Sequence, residues 1–265
     1  MDLCIFDWFG FEYPYNEIIM LIKEAGFQSV MTWWGDEHKD TNAGPKESQP
    51  EIIRKAGLQL ENTHFTFSGV NNLLEDTLDG QEILNIYCSY IDDCKNFGIS
   101  TAVMHVTDGE NPPPYNQLGL DRFKYLIEKA EKNNIIIALE NVRKPEYLDY
   151  IFENIESNSL RFCYDSGHEN CFTQGIDFLA KYGEKLAALH LHDNDGTYDQ
   201  HLFPFKGTVN WKNIMTQLKK LEYKGSLAFE FDAQYIDVSK EYTAIKYLSD
   251  GINSARRLMD ILQIN

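Results

Sequence analysis

Eight short runs of apolar and β-branched residues, set between longer stretches of helical spacing, constrain this chain more than any other feature. The runs cover residues 3–6, 29–33, 58–64, 101–105, 135–140, 160–164, 187–192 and 227–231. Amphipathic stretches fall at 14–25, 49–56, 81–97, 120–132, 176–182, 211–221 and, closing the chain, 244–262. Strands that alternate with helices pair in parallel through right-handed crossovers. Eight strands in 265 residues predict an α/β protein closed as a single (β/α)8 barrel over residues 1–265. The punctuation agrees. Pro14 suits a first helical turn, and Gly26, Gly98 and the Asn133-Asn134 pair stand where helices should end. No linker-like stretch or composition break interrupts the pattern.

Charge narrows the range of functions. The chain carries 24 Lys and Arg against 41 Asp and Glu, a net charge of −17. So acidic a surface repels phosphate backbones at long range, so no nucleic-acid partner is expected. The N-terminus has no basic region followed by an apolar stretch, and the longest apolar runs are strand-sized, so neither a secretory signal nor a membrane span is predicted. Cys4, Cys88, Cys94, Cys163 and Cys171 form no CxxC pair and are odd in number, as expected of reduced thiols in a cytoplasmic protein.

The ends of the strands carry the chemistry. The third run closes on His64, the fourth on His105, the fifth on Glu140, the seventh on His192; Asp165 follows the sixth, and Glu230 lies near the end of the eighth. In a β/α barrel these ends form the functional face. One such histidine alone reads as a hydrogen-bonded core residue, and one such glutamate as a helix cap. Six at the same end of consecutive strands are costly to bury unless they are paired or hold a cation. His168, Asp199 and His201 lie slightly beyond the strand ends, which brings five of the seven histidines to the mouth. His190, two residues before His192, shares its inward face one layer deeper. Imidazoles with carboxylates predict a divalent metal site for Mn, Zn, Co, Fe or Mg.

These residues carry a resemblance to a family. Ala138-Leu139-Glu140-Asn141-Val142, Tyr164-Asp165-Ser166-Gly167-His168, Leu189-His190-Leu191-His192-Asp193-Asn194-Asp195, Phe229-Glu230-Phe231 and the loop Pro204-Phe205-Lys206-Gly207-Thr208-Val209-Asn210-Trp211 together resemble the xylose-isomerase-like TIM barrel superfamily. That superfamily includes sugar and sugar-phosphate isomerases and epimerases and the endonuclease-IV-like enzymes of AP endonuclease family 2. The resemblance to tagatose and psicose epimerases implies one metal held by Glu140, Asp165, His192 and Glu230, with Glu146 and His168 touching substrate. Tyr198 stands where those epimerases carry an arginine, a departure that bears on ketohexose recognition. The resemblance to endonuclease-IV-like enzymes implies up to three zinc ions on nine ligands, matched by His64, His105, Glu140, Asp165, His168, His192, Asp199, His201 and Glu230. Together the two resemblances imply one to three ions.

Two mechanisms follow as expectations. In the first, a metal-dependent isomerase or epimerase moves a proton through a metal-stabilised enediolate of a sugar or sugar phosphate, with Glu140 and Glu230 as the catalytic base and acid. Arg143 or Lys144, just beyond Glu140, is a candidate for holding a phosphate or carboxylate, and Lys206 for a further substrate contact. Trp33-Trp34 and the segment Asp7-Trp8-Phe9-Gly10-Phe11 are candidates for the floor of a sugar pocket. In the alternative, a multinuclear zinc site hydrolyses a phosphodiester. Either way the partner is a small molecule, and a homo-oligomer is compatible with the sequence.

Overall fold

The computed structural model describes residues 1–235 and 242–263. Eight strands, β1 Leu3–Phe6, β2 Ser29–Trp34, β3 Gln59–Phe65, β4 Thr101–Met104, β5 Ile136–Glu140, β6 Leu160–Asp165, β7 Leu186–His190 and β8 Leu227–Phe229, pair in parallel in the order β7-β6-β5-β4-β3-β2-β1-β8. A bridge between Leu191 and Phe229 joins the two ends of that order, so the sheet forms a nearly closed barrel. Helices α1 Tyr15–Ala25, α2 Gln49–Lys55, α3 Leu78–Phe97, α4 Gln117–Asn133, α5 Pro145–Asn154, α6 Ser166–Phe172, α7 Phe178–Tyr182, α8 Trp211–Lys220 and α9 Ala244–Gln263 lie between and after the strands. No helix of the described residues is long and apolar enough to cross a membrane.

Local chemistry sets these boundaries. Thr77, Asn116, Asp165, Asp177 and Asn210 each accept a hydrogen bond from a backbone N–H in the first turn of the helix that follows, satisfying donors that the helix itself cannot use. At the other end, α1 and α3 stop at Gly26 and Gly98, whose φ of 100° and 65° favours residues without a Cβ. α5 and α6 are additions to the helices expected from sequence. α5 starts on a proline and buries Tyr147, Leu148 and Ile151. α6 is a short polar turn capped by the candidate metal ligand Asp165.

The core has two compartments. The larger lies between sheet and helices. The smaller, Val103, Ala138, Cys163 and Ala188, fills the inside of the barrel with small side chains from β4 to β7. Because side chains alternate between the faces of a strand, the residues two positions on, His105, Glu140, Asp165 and His190, enter the barrel one layer higher. This layer of small residues leaves room above it for bulkier polar groups.

Candidate metal centre at the barrel mouth

The C-terminal ends of the strands surround a cavity of about 280 Å3. His64, His105, Glu140, His168, Asp199, His201 and Glu230 line it, and Asp165 and His192 are buried directly behind. Glu140 is the hub. Its Oε2 lies 3.1 Å from His64 Nε2, 3.5 Å from His105 Nε2 and 3.2 Å from His190 Nδ1, while Oε1 lies 3.1 Å from His168 Nδ1. Asp199 Oδ2 is 3.2 Å from His168 Nε2 and 3.1 Å from His201 Nε2. His192 Nε2 is 3.1 Å from Asp165 Oδ1 and 3.5 Å from Asp199 Oδ1. Glu230 Oε1 comes within 3.3 Å of His190 Nδ1.

Backbone carbonyls orient three of the rings. His64 Nδ1–H donates to the carbonyl of Phe65 at 2.7 Å, His168 Nδ1–H to that of Asn141 at 3.0 Å and His201 Nδ1–H to that of Glu230 at 2.9 Å. In each case Nε2 is left facing a carboxylate, the arrangement that prepares an imidazole to bind a cation. Without a proton or an ion between them, a ring lone pair and a carboxylate oxygen repel. Two ligands each about 2.1 Å from one divalent ion stand about 3 Å apart, which is the spacing of these pairs. Buried His105 Nδ1, His190 Nδ1 and Nε2, His192 Nδ1 and Asp199 Oδ1 have no hydrogen-bond partner. The residues present therefore fit a divalent cation. Triads whose donor atoms lie within 4.8 Å of one another include His64, Glu140 and His190, and Asp165, His190 and Glu230.

The loop that carries Asp199 and His201 is held by Asp193. Its buried carboxylate accepts from the backbone N–H of Asn194 and of Val209, each at 3.0 Å, and from Trp211 Nε1 at 2.8 Å, while its backbone pairs with Leu202. His201 is thereby fixed with φ +48°, a conformation uncommon for a residue with a side chain. Asp193→Ala leaves three buried donors unpaired and is expected to cost about 3 kcal/mol, read by denaturant unfolding. A second close contact lies at Gly167, where an added Cβ would sit 1.9 Å from His192 Cε1. Only glycine lets the His192 ring lie over the first turn of α6.

Electrostatics at the mouth follow from burial and neighbours. Burial alone would raise the Glu140 carboxyl, but the imidazoles around it, His190 first, hold it well below the usual carboxylate range. Burial pushes His168 and His201 down, yet Asp165 and Asp199 raise His168 well above its usual value, and Asp199 carries His201 to about 9. His105 moves the other way, lowered by burial. Near neutral pH, then, His168 and His201 hold protons that a metal ion must displace. Metal affinity is expected to rise as pH rises towards about 9. Calorimetry in buffers of different ionisation heats should show proton release, and no release would contradict this electrostatic picture.

Three residues expected at the substrate lie elsewhere. Adjacent strand residues point to opposite faces: Trp33 lines the cavity, whereas Trp34 is fully buried with its Nε1 on Asp93. Glu146 is exposed in the first turn of α5, outside the cavity. Lys206 lies near Asp250 of α9, also outside it. In the first loop Trp8 lines the cavity, but Phe9 is buried against Tyr247. Arg143 does line the cavity. The sequence reading missed the contact of His190 with both Glu140 and Glu230, together with Phe67, Phe172 and Asp232 in the cavity wall. Phe67 stacks on His105 at 4.6 Å and stands edge-on to Trp33 at 5.4 Å, while Trp33 stacks on His64 at 5.3 Å. Phe67 stands three residues after His64, in the loop beyond β3, where strand alternation would have turned it to the other face, so no periodic signal marks it.

The profile described as xylose isomerase-like TIM barrel matches residues 19–258. The chain belongs to this family. The uncharacterised protein y4fM of Sinorhizobium fredii is 29% identical over 272 residues, covering 87% of each chain. A D-psicose 3-epimerase of Enterocloster bolteae is 26% identical over 115 residues, 40% of this chain and 36% of that protein. The solved structure of D-psicose 3-epimerase from Clostridium cellulolyticum H10 with D-tagatose has a TM-score of 0.77 at 14% identity, with 99% of both chains covered. That of a D-tagatose 3-epimerase-like protein has a TM-score of 0.72 at 20% identity, covering 100% of this chain and 98% of the other. These structures share the family barrel with the present chain.

Proposed function

We propose that this chain is a metal-dependent isomerase or epimerase of a small sugar or sugar phosphate. The observation that carries the reading is the placement of Glu140 and Glu230. They reach one cavity from β5 and from just beyond β8, and both approach His190 Nδ1, at 3.2 Å and 3.3 Å. Carboxylates on two sides of a bound polyol can take a proton from carbon on one side and return one on the other. The imidazoles around Glu140, His190 first, hold its carboxylate ionised. His168 orients hydroxyls, and the flat faces of Trp33 and Phe67 pack against the apolar side of a sugar. Glu140, Asp165, Glu230 and the imidazole of His190 or His192 would hold a divalent ion, which supplies Lewis-acid stabilisation of the charge developing on a carbonyl oxygen. Relatives of the same fold are described as D-psicose and L-ribulose 3-epimerases, which supports the sugar class. Tyr198 in place of an arginine and the outlying Glu146 argue against the same ketohexose contacts.

One observation favours a second reading, a multinuclear phosphodiesterase: nine donors exceed what one ion can use. His64, His105 and Glu140 on one side, and His168, Asp199 and His201 on the other, offer further sites. The two readings separate in one assay. Metal-loaded protein is incubated in D2O with a panel of ketoses and ketose phosphates, beside a chromogenic phosphodiester. Deuterium entering the carbon next to the carbonyl, seen by NMR, is the expected result. Phosphodiester cleavage with no exchange in any sugar would overturn the first reading in favour of the second.

A further inference from the structure

Among the described residues, Arg143 is the one lysine or arginine that lines the mouth cavity. It lies three residues beyond Glu140, and its guanidinium carbon sits 3.5 Å from the centre of the Phe172 ring. That ring also stacks with His168 at 5.2 Å. Phe172 therefore ties the orientation of Arg143 to the ring of candidate metal ligands. A guanidinium held flat on an aromatic ring keeps its in-plane donors free for a planar or tetrahedral anion.

Those donors already meet an anion from the protein itself. Arg143 Nη1 lies 3.0 Å from Glu110 Oε1, and Glu110 is 71% exposed. Glu110 stands on a rim segment anchored on both sides. Asn71 exchanges hydrogen bonds with the backbone of Asp108 at 2.8 and 2.9 Å, and Tyr147 donates to the carbonyl of Pro113 at 2.7 Å. An ion pair so open to water contributes little stability, so a better-fitting anion can displace Glu110. In a cavity otherwise dominated by carboxylates and imidazoles, a single oriented guanidinium at the rim selects for charge at one end of the ligand.

We infer that Arg143 anchors a terminal phosphate monoester or carboxylate of the substrate, and that Glu110 occupies this anchor until the substrate enters. This deepens the reading above and rests on it for the sugar class: the substrate is a short polyhydroxy carbonyl compound with one anionic end. The test is calorimetric binding of three-carbon probes to the metal-loaded protein: glycerol 3-phosphate, glycerate and glycerol. Both anions, or the one the anchor prefers, should bind at least about tenfold more tightly than glycerol. Arg143→Gln should lower that affinity about ten- to a hundredfold and leave glycerol unchanged. Glu110→Gln, at an exposed position that does not affect folding, should tighten anion binding by removing the competitor. Comparing the phosphate and carboxylate probes tells which group the anchor takes. Equal anion binding by wild type and Arg143→Gln would overturn the inference, as would glycerol binding as well as the anions, or no anion binding by the wild type. No turnover is needed, so these outcomes stand apart from the deuterium-exchange test of the reaction itself.

Discussion

Glu140→Gln is expected to abolish turnover and to weaken the hold of the barrel mouth on its metal. One carboxylate faces His64, His105, His168 and His190 at 3.1–3.5 Å. The amide keeps the shape of the side chain but removes a charge that several donors share. Loss of a positioned acid–base group alone costs about 10^2- to 10^4-fold in rate, and loss of an ion adds to it. The variant should stay folded without metal, because the imidazoles can release their protons once the carboxylate is gone. Rate, metal content and unfolding midpoint, measured on the same preparation, check this. A variant within tenfold of wild type would mean that the centre is not built on Glu140.

Chelation should lower thermal stability by a large step. An ion present at a thousandfold its dissociation constant stabilises the folded state by about 4 kcal/mol. For a chain of this length that corresponds to a fall in midpoint of about 8–16 °C on metal removal. The metal-free protein should still be folded, since the buried carboxylates and imidazoles can pair through protons: His201, raised to about 9, is charged near neutral pH beside Asp199. Restoring the ion should restore the midpoint. Scanning calorimetry with and without chelator measures both, and an unchanged midpoint would contradict the assignment of the mouth as a metal centre.

The periodicity of the sequence made the barrel legible because each strand is a short apolar run between amphipathic helices. Its failures have physical causes. α5 follows a loop of mixed charge, and its apolar face is only Tyr147, Leu148 and Ile151, which gives a weak helical period despite Pro145 at its start. α6 has only Cys171 and Phe172 as apolar residues, too few to show a helical period, and its first turn is capped by Asp165, whose carboxylate accepts from the His168 backbone N–H at 2.6 Å. The runs at 187–192 and 227–231 continue past the ends of β7 and β8. There the ladder gives way to the Leu191–Phe229 bridge, and the His192 N–H turns to Ser166 Oγ.

At the site, the strand-end pattern was legible because position in a barrel strand fixes direction. The same rule of two would have excluded one member of the Trp33-Trp34 pair. The side-chain partnerships were not legible. His190 reads as one layer below the mouth, but only the three-dimensional closure of β7 against β8 brings it to both Glu140 and Glu230. Glu146 was expected at the substrate through the resemblance and Lys206 as a further contact, and the paths of α5 and of the loop before α8 put both outside the cavity.

The most direct test is the metal content per chain of untagged protein purified without chelator, by plasma mass spectrometry. The account predicts one to three equivalents of a divalent metal, removable by chelation and lost in Glu140→Gln. One equivalent fits the isomerase centre of Glu140, Asp165, Glu230 and an imidazole, and two or three fit the wider donor set. A chain that holds none, and takes up none when metal is added, contradicts it.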